Sequence, residues 1–346
     1  MVSGEETAPN QILEELLEWC RARGIEQGAL VLQSRPGCGR CLVAGSACAA
    51  GERLLMVPAS AIIAEGIDGG GYQASHWMLG VAHRLLDEDL LGASSAFAPY
   101  VRLLLDGGDR PHDLAPIAEL PGSAGCLARG RQQLRLDQAA EMLEAVPSSS
   151  PERVTMALHA VDSRTLYCPE ARVRALVPFF DFLNHSSCPN ARWTMGKSRD
   201  LSLYATRAVA AGEEVNISYD SICNARLLVT YGFVLAGYGP HRSLDLDVEK
   251  GVQLQILGDG SLRRRAALFP LLRNSGEAAV AERLASLAQA ELSLWQSHAS
   301  ANGDDRLELL ASMSVAVLQK FHTRLTEGLE AGSGVALGVA LGPAES

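Results

Sequence analysis

The stretch from residue 176 to residue 233 constrains this chain more than any other part of it. Short apolar runs typical of strands alternate there with turn residues and polar side chains. The polar groups that stand out are Asp181, Asn184, His185, Tyr219 and Tyr231. No Ser-His-Asp order, metal-ligand spacing or phosphate-binding loop accompanies them, so amide, imidazole and phenol groups must carry any chemistry. Such groups suit a reaction in which a cofactor supplies the activated group and the protein orients it, as in methyl transfer from a sulfonium donor.

Six short motifs occur in one order along the chain. They are Gly37-Cys38-Gly39-Arg40, Gly51-Glu52, Ser163-Arg164, Asn184-His185, Gly212-Glu213-Glu214 and Tyr231-Gly232-Phe233. Each motif alone is weak, but the ordered set resembles the SET domain over roughly residues 28 to 236. More narrowly, it resembles the branch that includes the plant Rubisco large-subunit lysine methyltransferase and its relatives acting on non-histone proteins.

The resemblance implies an α+β fold, in which a β-rich SET core of short strands is split by a helical insertion and followed by an all-α C-terminal domain. We expect an N-terminal helix, a first core part, the insertion, the catalytic core part, a substrate-binding domain and a flexible tail. Their boundaries are 1–27, 28–75, 76–158, 159–236, 237–330 and 331–346.

The local patterns agree with that organisation. Asn10 is a cap signal before an apolar pattern of helical spacing, which predicts a helix over residues 10–23. Runs at Leu42–Ala44 and Leu54–Val57 predict a β-meander, and alternation at Leu201–Ala205 predicts a later strand. Beyond Pro240 we expect only helices, whose two apolar stripes pack on each other. The stripes are Leu284, Leu287, Ala288, Leu292 and Trp295, then Leu307, Leu310, Ser314, Leu318, Phe321 and Leu325.

The resemblance also implies S-adenosyl-L-methionine as the cofactor. The residues it assigns to cofactor contact are Cys38, Gly39, Arg164, Asn184 and His185, and we add Arg40, Tyr231 and Phe233. Arg40 or Arg164 could meet the carboxylate of the cofactor through a charge-assisted hydrogen bond. For His185, a histidine satisfied by neighbouring carbonyl groups is an equal alternative to a side-chain role. Asp181 is expected to brace the turn by capping backbone amides.

Tyr231 is the leading catalytic hydroxyl by resemblance, and Tyr219 is expected to line the acceptor channel. Taken alone, two such tyrosines could equally be aromatics packed in a core. One position departs from the family pattern: Asp220 stands where the family usually has glycine. The turn can survive, because aspartate tolerates left-handed backbone angles better than most residues. Its carboxylate could attract a cationic acceptor, or it could mark lost activity.

Composition limits the partners. A net charge of −10 and a pI near 5.3 argue against a nucleic-acid partner and are compatible with a basic protein segment. The sequence shows no signal peptide and no long apolar segment, so we expect no membrane contact and a place in the cytoplasm or nucleus, with the chloroplast left open. We also expect a monomer. Cys38, Cys41 and Cys48 lack the second pair of ligands that a structural zinc site needs, so no metal is expected.

Three functions therefore stay open. The first is a protein-lysine methyltransferase with a non-histone protein substrate of unknown identity. The second is the same chemistry on a histidine side chain. The third is a binding module derived from a SET domain, whose site has decayed and whose C-terminal helices recruit a partner.

Overall fold

The structure is a computed structural model, and it divides the chain into two compact units. The first comprises Met1–Pro111 and Leu134–Tyr219, and the second comprises His112–Gln133 and Asp220–Ser346. The residues that the structure describes are 7–35, 39–67, 77–220, 222–236, 243–249, 252–263, 268, 272–273, 275–298 and 304–330. The expected flexible tail, 331–346, lies outside them, and the six domain boundaries stay a prediction.

The helices of the first unit come mainly from the expected insertion. They are α1 (Thr7–Ala22), α2 (Trp77–Leu90), α3 (Ala98–Asp106) and α6 (Pro151–Arg164), and α5 (Gly122–Ala145) contributes residues to both units. The start of α6 follows from sequence: the Ser150 side chain accepts a hydrogen bond from the Arg153 amide, and Pro151 occupies the first turn. The expected cap at Asn10 is wrong, because α1 already begins at Thr7 and Asn10 lies inside it.

Short strands complete the described part of the first unit. They are β1 (Leu30–Arg35), β2 (Gly39–Ala44), β3 (Arg53–Val57), β4 (Ile63–Gly66), β5 (Leu166–Cys168), β6 (Val173–Leu176), β7 (Asn184–His185), β8 (Ala191–Met195), β9 (Leu201–Ala205) and β10 (Asn216–Ile217). They form the small sheets β1-β2, β3-β9-β8, β4-β6-β5 and β10-β7. The expected meander is only half right, because β1 and β2 form a hairpin but β3 pairs with β9. That long-range pairing buries Leu55 and Leu203 on neighbouring strands.

Aliphatic side chains form the core of the first unit. The alternation predicted for β9 is confirmed: Leu201, Leu203 and Ala205 are buried, whereas Ser202 and Tyr204 are partly exposed. The same cluster takes in the helical insertion through residues such as Leu79 and Leu85 of α2. Burial of apolar surface stabilises a domain by about 25 cal/mol per Å². The short strands of the first unit therefore pack on a buried apolar core.

The second unit combines helices with one small sheet. Within the residues that the structure describes, its other helices include α4 (Ala115–Ala118), α7 (Asn224–Tyr231), α8 (Glu277–His298) and α9 (Asp305–Glu330). The two predicted stripes are confirmed as faces of α8 and α9 within one buried cluster, with only Leu287 partly exposed. The expectation of helices alone beyond Pro240 is wrong, because strands form an antiparallel sheet there. These strands are β11 (Leu244–Glu249), β12 (Val252–Ile256) and β13 (Leu262–Arg263).

The predicted fold class is otherwise confirmed, since short strands in small sheets precede long C-terminal helices. Within the described ranges, no helix is both long enough and apolar enough to span a membrane.

Candidate active site

The pairing of β2 with β1 positions the described part of the first motif, with Gly39 exposed and Arg40 partly exposed. Gly39 begins β2 with a φ of +67°, which favours glycine over residues with a side chain. A Cβ built at Gly39 would meet no atom within 4 Å, so the backbone there is open to a ligand. Cys38, the neighbouring cofactor residue expected from sequence, lies outside the described residues.

Two arginines from separate elements meet at one carboxylate. Arg40 of β2 donates from Nη2 to Asp109 Oδ2 at 2.5 Å, and Arg164 at the end of α6 donates to the same oxygen. Arg164 also donates to the backbone carbonyl of Asp181 at 3.3 Å. The Arg40 guanidinium lies 5.5 Å from the centre of the Phe182 ring. The structure therefore brings together both arginines that the sequence proposed for binding a carboxylate.

Burial shapes the charges of this cluster. Burial alone would lower the pKa of Arg164, but the nearby carboxylates of Asp181 and Asp109 raise it above its usual value. Burial raises the pKa of Asp181 to about 6, although Arg164 and a hydrogen bond from the Tyr100 hydroxyl act in the opposite direction. The Asp181 side chain accepts a hydrogen bond from the Tyr100 phenol and a second one from the backbone amide of Val177, so the expected capping of a backbone amide is present. Asp181 also braces the turn through its own carbonyl.

The raised pKa of Asp181 makes stability depend on pH. Between pH 4 and pH 6 the folded state holds a proton on Asp181 that the unfolded state has lost, so stability falls as pH rises. Asp181→Asn removes this titration. The free energy of unfolding of the variant should therefore rise relative to wild type between pH 4 and pH 7, by up to about 3 kcal/mol. Urea titrations at several pH values measure this difference, and a difference independent of pH would contradict the assignment.

Asn184 lies on a pair of short parallel strands. In that pair β7 lies beside β10, with Asn184 opposite Asn216 and His185 opposite Ile217. The Asn184 amide donates to Glu214 Oε1 at 2.9 Å and approaches the Arg40 carbonyl at 3.4 Å. A ligand between these groups would meet an oriented amide beside the paired arginines.

The turn before β10 holds Glu214 in place. Gly212 adopts a φ of +78°, and the Glu213 carboxylate accepts hydrogen bonds from Arg207 at 2.6 Å and from the Ala210 amide at 2.9 Å. The bond from Arg207, followed by that from Ala210, lowers the pKa of Glu213 to about 2. Glu213 therefore stays ionised and braces the turn that presents its neighbour Glu214 to Asn184.

His185 and Tyr219 are joined by a hydrogen bond and by a contact between their rings. The buried His185 ring accepts a hydrogen bond at Nδ1 from the Tyr219 amide at 3.0 Å, and the two ring centres are 5.2 Å apart. One partner of the ring is thus a backbone amide, and the carbonyl partner offered as an alternative from sequence stays a prediction. A neutral imidazole that accepts at Nδ1 carries its proton on Nε2. The Tyr219 hydroxyl donates to the Leu183 carbonyl at 2.7 Å, which fixes the phenol in a partly exposed position.

Tyr231 and Phe233 belong to the second unit. Tyr231 ends α7, Gly232 follows with a φ of +79°, and the Tyr231 and Phe233 ring centres are 6.0 Å apart. Asn224 is the first residue of α7, and the helix cap before it is Cys223. Its amide exchanges two hydrogen bonds of 2.9 Å with the Leu235 backbone. Asn224 therefore fixes the segment that follows Tyr231.

Asp220 occupies a backbone conformation that favours glycine. Its φ is +118°, which agrees with its position where the resembled family usually has glycine. A strained residue of this kind costs about 1–3 kcal/mol, whereas glycine costs roughly 0.5–1 kcal/mol in chain entropy.

Asp220→Gly should therefore raise the free energy of unfolding by about 1 kcal/mol in a chemical denaturation experiment. Asp220→Ala is the matched control, because it removes the carboxylate but keeps the strained Cβ. Equal stabilities for the two variants would show that backbone strain is not the cause.

Several contributors to the site were missed from sequence. Asp109 and Tyr100 carry no motif, and the carbonyl of Leu183 has no sequence signal at all. Glu214 belongs to the Gly-Glu-Glu motif, but the sequence analysis gave it no role.

The cysteines considered for a metal site include two buried thiols, Cys41 and Cys48. Over the part of the chain that the structure describes, no three His, Cys, Asp or Glu side chains gather in a way that could hold a metal ion.

Known proteins resemble this chain in sequence and in fold. A profile of the SET domain matches residues 39–220. SET domain-containing protein 4 of Mus musculus is 26% identical over 288 residues, covering 74% of this chain and 65% of that protein. The protein of the same name from Homo sapiens is 24% identical over 262 residues, covering 66% of this chain and 59% of that protein. The chain thus spans less than two thirds of the length of these relatives.

Two solved structures show the same fold. One is the SET domain of LSMT bound to lysine and AdoHcy, with a TM-score of 0.70, 15% identity, and coverage of 93% of this chain and 92% of that chain. The other is Rubisco LSMT bound to AdoMet, with a TM-score of 0.65, 17% identity, and coverage of 90% and 91%. At this level of identity the likeness concerns the fold alone.

Proposed function

Because this chain belongs to the SET domain family, we propose that it is an S-adenosylmethionine-dependent protein methyltransferase whose acceptor is a lysine side chain of a non-histone protein. One observation carries the proposal: Arg40, Arg164 and Asn184 come from three separate elements and converge within the first unit. A fold alone would not require that convergence.

The residues of the first unit fit the cofactor. Arg40 and Arg164 already bind one carboxylate, so they can bind the carboxylate of the amino-acid end. Gly39 leaves its backbone open to close approach, and Asn184 offers an amide beside Arg40. S-Adenosylmethionine, when bound, supplies a methyl group activated by a sulfonium centre. The work left to the protein is to orient both reactants and exclude water.

Tyr219 suits the acceptor side because of how its hydroxyl is bonded. The phenol donates its proton to the Leu183 carbonyl, so its lone pairs can accept a hydrogen bond from an amine N–H. A phenol with a pKa near 10 is a poor base at neutral pH. We assign Tyr219 to aligning the acceptor nitrogen, with the proton of the lysine ammonium leaving through solvent.

Tyr231 is the hydroxyl that we propose acts on the reacting centre, with Phe233 beside it. The family pattern carries this assignment, and the fixed geometry of the second unit supports it. Hydrogen bonds hold the segment from Tyr231 onward. Asn224 makes two with the Leu235 backbone, and Arg306 donates one of 2.9 Å to the Gly232 carbonyl. A hydroxyl on an ordered segment can stabilise developing charge without reorganising.

The solved relatives favour lysine as the acceptor. LSMT was crystallised with lysine and AdoHcy, and with methyllysine and AdoHcy. Methylation of a protein histidine is the alternative within the same chemistry. A decayed binding module is the second candidate function, and the strained Asp220 favours it, because an aspartate replaces glycine beside Tyr219.

Transfer of a labelled methyl group to a protein extract tests the proposal. The chain is incubated with S-adenosylmethionine that carries an isotopically labelled methyl group, and mass spectrometry locates the modified side chain. Label on lysine supports the proposal, and label on histidine supports the alternative acceptor. A chain that binds S-adenosylhomocysteine but transfers no label would contradict methyl transfer to the proteins of the extract and favour the binding module. A chain that neither binds nor transfers would contradict the methyltransferase and likewise favour the binding module, whose site has decayed.

A further inference from the structure

Asp109 fills the space between two arginines that the proposed cofactor needs. Both guanidinium groups donate to the single oxygen Oδ2 of Asp109, from β2 on one side and from α6 on the other. That geometry is a binding site for one carboxylate, and a side chain of the protein itself already occupies it. The carboxylate of a ligand and the carboxylate of Asp109 cannot both occupy it.

The three side chains differ in how firmly they are held. The side chains of Arg40 and Arg164 are 22% and 20% exposed, whereas that of Asp109 is 43% exposed. Arg40 packs on Phe182 and Arg164 is bonded to the Asp181 carbonyl, so each arginine keeps a second contact when Asp109 leaves. The arginines are therefore the fixed part of the site, and Asp109 is the replaceable part.

The chain before Asp109 allows it to move. Asp109 follows the end of α3 at Asp106, after Gly107 and Gly108, and Gly108 has a φ of +90° with open space at its Cβ position. Gly107 is held by the hydrogen bond from its amide to the Leu103 carbonyl, so Gly108 is the position at which the backbone angles can change at low steric cost. A short rotation there would withdraw the Asp109 carboxylate from the arginines.

We propose that Asp109 is an internal competitor of the cofactor carboxylate and so sets the affinity of this chain for ligands that carry one. This inference rests on the proposed function, because it takes Arg40 and Arg164 as the cofactor's anion site. Binding then requires Asp109 to leave, and the apparent dissociation constant is the intrinsic one divided by the fraction of molecules in which Asp109 is already displaced. If that fraction is about one tenth, removal of the competitor tightens binding about tenfold.

Calorimetry with two ligands tests this role. S-Adenosylhomocysteine carries the carboxylate, whereas 5′-deoxy-5′-methylthioadenosine keeps the nucleoside and the thioether without it. Asp109→Asn should bind S-adenosylhomocysteine about tenfold more tightly than wild type and should bind the second ligand with unchanged affinity. Asp106→Asn is the matched control, because it removes the same charge nearby from a carboxylate bonded to Arg153. It should leave both affinities unchanged.

The outcomes separate this inference from the function on which it rests. Weaker or equal binding of S-adenosylhomocysteine by Asp109→Asn would mean that Asp109 supports the arginines, which overturns the inference alone. An equal gain in affinity for both ligands would also overturn the inference, as would an equal gain in affinity in Asp106→Asn. Absence of binding by wild type and both variants would overturn the proposed function and the inference with it. Asp109→Ser, with a smaller neutral side chain, must show the same gain and covers the case in which Asp109→Asn does not fold.

Discussion

Tyr231→Phe is expected to lower the rate of methyl transfer about 10²–10³-fold while the affinity for S-adenosylhomocysteine changes less than about twofold. The substitution removes one hydroxyl and keeps the ring that lies beside Phe233. Because α7 ends in an ordered turn at Gly232, the backbone should not change. Transfer of labelled methyl groups to a protein extract and calorimetry on the same preparation measure the two quantities.

Tyr167→Phe is the matched control for this variant. Tyr167 lies on β5 and is 53% exposed, so loss of its hydroxyl should leave both the rate and the affinity unchanged. A Tyr231→Phe protein that keeps more than about a tenth of the wild-type rate would remove Tyr231 from the chemistry. A fall in cofactor affinity equal to the fall in rate would instead assign it to binding.

Asn184→Ala is expected to weaken binding of S-adenosylhomocysteine about 10- to 100-fold, the effect of losing hydrogen bonds to charged groups. The Asn184 amide is oriented by Glu214 Oε1 and lies next to the Arg40 carbonyl, so alanine removes both the ligand contact and the support. Calorimetry measures the affinity, and denaturation by urea shows whether the fold survives.

Asn190→Ala separates cofactor binding from folding. The buried Asn190 also interacts with the Glu213–Glu214 turn: it donates to the Glu214 carbonyl at 2.8 Å and accepts from the Asn216 amide at 2.8 Å. Its loss should lower stability by about 1–3 kcal/mol and leave cofactor affinity close to wild type. If both alanine variants weaken binding equally, Asn184 has only a structural role.

Local patterns of apolar residues predicted much of the fold. The alternation in β9 and the helical stripes of α8 and α9 each follow from a single period, and the structure confirms them. The sheet of β11, β12 and β13 was missed although Leu244, Leu246 and Val248 alternate with acidic residues. A strand of that length gives a weaker sequence signal than the two long helices that follow it in the chain. In addition, Asp245 is buried, whereas the alternation would leave the acidic positions exposed.

Partners of site residues could not be predicted because they depend on long-range packing. A motif identified Asn184 and His185, but β7 meets β10 only in the folded chain. Arg40 and Asp109 are 69 residues apart in sequence, and neither position indicates the other. Asp220 is the opposite case. The family pattern has glycine at this position, and the φ of +118° at Asp220 is a backbone angle that favours glycine.

A crystal structure with bound S-adenosylhomocysteine would test the cofactor site most directly. We expect the ligand carboxylate between Arg40 and Arg164, the Asn184 amide in contact with the ligand, and Asp109 withdrawn from both arginines. A ligand bound elsewhere on the chain, with Arg164 and Asn184 making no contact to it, would contradict the assignment of this cluster as the cofactor site.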